Sequence, residues 1–164
     1  MIEASTPELS GRDSSQRLRK GSALLAIGFG GGIAGVLDLT QALILFSARV
    51  PFSIAAGLLG PDTARQGGAG TYILGVLLHF FIACSFAAAY YGVSRRLRFL
   101  VEHPLVCGLI YGILVELVMD LAVLPLSALH SAGPYELHDL LLGIGVHMVT
   151  VGLPIAYSVR RFGR

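Results

Sequence analysis

Apolar residues fall along this chain in four long blocks, at about 22–48, 71–93, 104–126 and 139–159, with short polar connections between them. Each block nears the ~20 residues that a helix rising 1.5 Å per residue needs to cross roughly 30 Å of hydrocarbon. The pattern predicts four membrane-spanning helices, and little chain remains outside them. Between the first two blocks, "PFSIAAGLLG" from Pro51 is too short to cross and ends in glycine. It predicts a short helix over 51–59, lying at the outer interface or dipping toward the bundle. "PDTARQGGAG" at 61–70 then reads as the most polar outer loop. Pro104 opens the third block at a first helical position, where its missing N–H costs nothing. Residues 1–20, rich in Ser, Thr and charge, predict a disordered tail ahead of a single transmembrane domain over 21–164.

Composition agrees with this reading. Hydrophobic residues make up 54% and charged residues 13% of the 164 positions. The mean hydropathy is +0.74. So apolar a chain cannot present a soluble surface, which leaves the lipid bilayer as its surroundings. Ten of the 12 Lys and Arg lie in the N-terminal tail, in the connection holding Arg95, Arg96 and Arg98, or at the C-terminus. Only Arg49 and Arg65 fall on the other side. The positive-inside rule therefore predicts that both termini are cytoplasmic. Tyr90, Tyr91 and Tyr157 at the inner helix ends, with Tyr72 and Tyr135 at the outer ends, suit an aromatic belt. The net charge of +2 is spent on topology, and no nucleic-acid footprint is expected. The first block is longer than a signal-peptide core and precedes no clean small-residue cleavage site, so it is read as a retained span. Cys84 and Cys107, without CxxC spacing, read as packed thiols.

Span 1 carries "GFGGGIAG", in which Gly30, Gly32 and Gly35 match G-x-G-x-x-G. A dinucleotide site would need a βαβ unit and a later acidic residue, and "SARVP" stands there instead. Spacing by four makes Gly28 with Gly32, and Gly31 with Gly35, candidates for close helix packing. Short matches also recur in order in the two halves: "VLDL" with "VMDL", "PFS" with "PLS", Leu74-Gly75…His79 with Leu142-Gly143…His147, and Arg95-Arg96 with Arg160-Arg161. This order predicts an all-α four-helix membrane bundle made of two parallel repeated hairpins.

The candidate chemistry lies at Asp38, His79, Asp120 and His147, one on each span and level to within about 6 Å along ideal helices. Gln41 follows Asp38 at i+3, and Glu116 precedes Asp120 by four. A charge facing lipid at mid-membrane costs roughly 2.5–3.5 kcal/mol on insertion scales. These groups are therefore expected to face inward and to pair, protonate or hold a ligand. The plainest reading is that Asp–His hydrogen bonds fasten the helices together. In a second, Asp38, His79, Asp120 and His147 bind a divalent metal or another cation, or relay protons, in a small transporter or channel. A third makes His79 and His147 axial ligands of a haem, with Gly75 and Gly143 leaving room for the macrocycle. A metal-activated water with Glu116 or an Asp as base is a fourth, but no HExxH or nucleophile elbow supports hydrolysis, which argues against an enzyme. Pro154 should kink span 4. His130 and His138 stand in the second outer loop, as ordinary exposed histidines or as guides for a cation. Transport by so small a bundle would call for a homo-oligomer or a larger membrane complex.

"GGIAGVLDL", "LGVLLHFFIA", "VLPLSA" and "HMVTVGLPIA" resemble segments of a family of small four-span bacterial inner-membrane proteins of uncharacterised role. The resemblance runs from about Gly30 to Arg161. It implies four helices and a bacterial inner-membrane location, and brings no catalytic or binding residues with it.

Overall fold

The computed structural model describes residues 7–131 and 136–163, and of residues 7–20 the backbone alone. The described residues are helical and include no strand. Four helices are long and apolar enough to cross a membrane: span 1 (Gly21–Leu45), span 2 (Ala69–Ser94), span 3 (Pro104–Leu126) and span 4 (Leu137–Phe162). Tyr135, expected in the outer aromatic belt, lies outside the described residues.

Two boundaries differ from expectation. The first helix runs Pro7–Leu45, so residues 7–20 continue span 1 instead of forming a disordered tail. Propagating a helix that span 1 has already nucleated costs far less than starting one, even through a polar segment. The supposed loop at 61–70 contains a short helix, Pro61–Gln66, whose proline occupies the first turn. The preceding helix, Val50–Leu59, does form, and packs against span 2. Gly75 permits that contact: a Cβ there would run into the backbone of Pro51.

Span 1 packs against spans 2 and 4, and span 3 packs against span 4. Small residues let these backbones approach. A Cβ on Gly31 would stand 2.6 Å from Cys84 Cα, and one on Gly35 would stand 2.8 Å from the Phe80 ring. Gly28 and Gly32 correct the sequence reading, since nothing lies within 4 Å of either. The tight crossing of spans 3 and 4 uses other glycines. A Cβ on Gly112 would strike Met148, and one on Gly152 would strike the Gly108 carbonyl. On the termini side of this crossing Tyr90, Ile155 and Val159 are almost fully buried and close that half of the bundle.

Spans 3 and 4 each contain a π turn, at Met119–Val123 and Met148–Gly152. Each runs directly into a Leu-Pro pair, Leu124-Pro125 and Leu153-Pro154. Proline lacks an N–H and its ring clashes with the carbonyl four residues earlier, and widening the preceding turn relieves both defects. The kink expected at Pro154 is thus a π turn, and Met-x-x-x-x-Leu-Pro marks it in both spans.

Candidate functional site

Three of the four polar residues expected in one layer meet where spans 1, 2 and 4 face each other. The carboxyl group of Asp38 stands between two imidazoles, with Oδ2 4.0 Å from His79 Nε2 and Oδ1 3.9 Å from His147 Nε2. Both separations exceed hydrogen-bond length, so these are through-space contacts, ion pairs only when the imidazole is protonated, that one water or a small side-chain movement would close. The side chains are 15% (Asp38), 14% (His79) and 20% (His147) exposed, which makes such contacts stronger than on a free surface.

Backbone carbonyls fix the histidine tautomers. His79 Nε2 lies 3.0 Å from the carbonyl oxygen of Gly35. A carbonyl only accepts, so Nε2 carries the hydrogen and donates it there. His147 Nδ1 lies 3.1 Å from the Gly143 carbonyl and 2.7 Å from Glu116 Oε2, and by the same argument carries a hydrogen. The opposite nitrogen, Nε2, is then a lone pair in the neutral ring or an N–H in the cation, and it faces Asp38. His147 is therefore bracketed by one carboxyl group at each ring nitrogen.

Thr150 completes the arrangement. Its hydroxyl is 3.0 Å from Asp38 Oδ1 and 3.0 Å from the Val146 carbonyl. With an ionised Asp38 the single hydroxyl proton has two acceptors. With a protonated Asp38 the carboxyl can donate to Oγ1, which in turn donates to Val146. Both charge states of Asp38 are accommodated without moving the backbone.

Glu116 of span 3 supplies the carboxyl group at His147 Nδ1. It reaches His147 because Gly143 has no side chain, and a Cβ at that position would occupy the place of Glu116 Oε1. Asp120 lines a cavity of about 240 Å³ with Gln41, Glu116, Asp139 and His147, on the side away from the termini. A second cavity of about 190 Å³ is lined by Asp38, His79 and His147 among apolar side chains, including Val50 and Ile54 of the short outer helix. His147 lines both cavities and stands between them.

The donor set fits neither metal nor haem as the sequence suggested. Among the described residues no three His, Cys, Asp or Glu side chains are grouped to hold a metal ion. His79 Nε2 is committed as a donor to Gly35, and Asp120 belongs to the outer cavity. For haem, the space between the two Nε2 atoms is taken by the Asp38 carboxyl group. Gly75 and Gly143 accommodate Pro51 and Glu116, not a macrocycle. His138 pairs with its neighbour Asp139 at 3.1 Å on the exposed outer end, and His130 adopts a positive φ of 46° in the loop. Thr150 escaped the sequence reading, although it follows His147 by three residues on the same helical face.

Compared with protein-family models, with curated proteins and with solved structures, the chain has no significant match in any of the three.

Proposed function

We propose that this chain is a proton-binding membrane protein, in which Glu116, His147, Asp38 and His79 exchange protons with the face opposite the termini. One observation carries this reading: His147 lines both the acidic outer cavity and the central cavity, with a carboxyl group at each ring nitrogen. Imidazole with one nitrogen on each of two acids can take a proton at one side as it releases one at the other. The closed half of the bundle ends the series at His79, so passage across the whole membrane would require a homo-oligomer or a larger membrane complex. Cytoplasmic termini, a duplicated hairpin and a bacterial inner-membrane location belong to the same proposal, on the strength of the arginine distribution and the segment resemblance.

A second reading keeps the group as a fastening between helices. It is favoured by the absence, among the described residues, of any buried side-chain N or O atom without a hydrogen-bond partner. Proton uptake by the purified protein separates the two. Beyond the uptake of the exposed histidines, a relay takes up about one further proton per chain in the histidine range after a pH jump read with an indicator dye. That uptake disappears in His147→Phe. Unchanged uptake in the variant would leave fastening as the role.

A further inference from the structure

A groove on the lipid-facing surface is distinct from the polar site, sharing with its central cavity the side chain of Phe86. Spans 2 and 3 are not close backbone neighbours; they are bridged by Tyr111, whose hydroxyl donates to the Phe86 carbonyl at 2.7 Å. Tyr90, whose ring meets that of Tyr111 edge-on at 4.8 Å, donates to the Leu100 carbonyl at 3.0 Å. The two rings form the floor of a cavity of about 420 Å³ whose walls include Phe99, Ile110 and Leu114. These three are 51%, 60% and 51% exposed, so the groove is open to its surroundings.

Its length and its end identify what fills it. Along span 3 the lining runs from Cys107 to Val118, eleven steps of 1.5 Å or about 17 Å, close to half of the ~30 Å hydrocarbon core. That is the depth of one leaflet. At the end nearer the termini, Phe99 and Leu100 of the short helix Phe99–Glu102 close the groove, and Arg98 directly precedes them. Arg95 and Arg98 line a neighbouring cavity of about 620 Å³ at the same turn, together with Glu102. Arg95 is engaged with the Gly163 carbonyl at 2.9 Å. Among the described residues neither Arg96 nor Arg98 forms an ion pair. Three arginines against one acid therefore stand in the turn that closes an apolar slot one leaflet deep, beside the slot and not in its lining.

We infer that this groove binds an anionic phospholipid of the leaflet on the side of the termini, one acyl chain lying on Tyr90 and Tyr111 and the phosphate meeting Arg96 and Arg98. Basic groups beside a slot between spans are the general means by which membrane proteins select anionic headgroups. The inference is independent of the proton-binding proposal.

The chain has no tryptophan, so one introduced in the groove reports on it alone. Full-length Leu114→Trp would be reconstituted with brominated phosphatidylglycerol or brominated phosphatidylcholine, and quenching compared at equal mole fractions. Ile110→Trp serves as a second reporter should the first variant fold poorly. Quenching by the anionic lipid should reflect a preference of about fivefold or more, the scale of one basic residue at an anionic surface, and fall to parity with Arg96→Gln and Arg98→Gln combined. Equal quenching by the two lipids would overturn the inference. So would the same preference in Leu121→Trp, a lipid-facing position outside the groove. Loss of quenching by either lipid would mean that a second copy or another protein covers the groove, and would overturn it too.

Discussion

Thr150 and Asp38, 112 positions apart, share a hydrogen bond of 3.0 Å that ties the π turn of span 4 to the middle of span 1. The same hydroxyl reaches the Val146 carbonyl, as a threonine four residues later on a helix is placed to do. Thr150→Val keeps the shape and removes the donor. It should lower stability by about 1 kcal/mol, the net worth of one such bond, and slow proton exchange at Asp38. Thermal unfolding in detergent checks the first effect and indicator-dye kinetics the second.

Gly143→Ala tests the site without touching a polar group. The new methyl would compete with Glu116 Oε1, whose side chain must then leave His147 Nδ1. Proton uptake should fall several-fold while the four spans remain, because a flexible carboxylate end can move where a backbone cannot. Circular dichroism and uptake measured on one sample would show the separation, and a loss of helix in step with uptake would contradict it.

The glycines fall into two groups. Gly112→Ala drives a methyl into the backbone at Met148 and should cost about 1–3 kcal/mol, as overpacking does. Gly28→Ala meets nothing and should leave stability unchanged or raise it by up to ~1 kcal/mol through helix propensity. Comparing the unfolding midpoints of the two variants gives the answer.

An even number of spans returns the chain to the side on which it began. In a background of Cys84→Ser and Cys107→Ser, the exposed positions Arg160→Cys and Arg96→Cys should react with a membrane-impermeant thiol reagent from one side. Arg65→Cys should react only from the other. Labelling of all three from one side would refute the four-span arrangement.

The spans were legible because crossing hydrocarbon demands a length and an apolarity that leave no alternative reading. Asp38, His79 and His147 were legible for a related reason: no such group can be left facing lipid cheaply. Of the two span 3 acids that the sequence offers, Glu116 and Asp120, spacing alone does not say which stands at His147 Nδ1. Depth along an ideal helix does not decide it, because Asp120 lies inside a π turn where the regular 100° step is interrupted. The glycine spacing G-x-x-x-G also names two pairs on span 1 equally well, yet only Gly31 and Gly35 face a neighbour. Sequence spacing fixes which glycines share a stripe, while the direction of that stripe is set by the other helices.

The central claim is that His147 passes protons between Glu116 and Asp38, and ring-nitrogen NMR on ¹⁵N-histidine protein in bilayers tests it most directly. Across the range in which imidazole changes charge, the ring nitrogens of His147 should shift, and the shift should weaken in Asp38→Asn. Ring nitrogens of His147 that keep one chemical shift across that range would contradict the account and leave Glu116, His147 and Asp38 as a fixed fastening between spans.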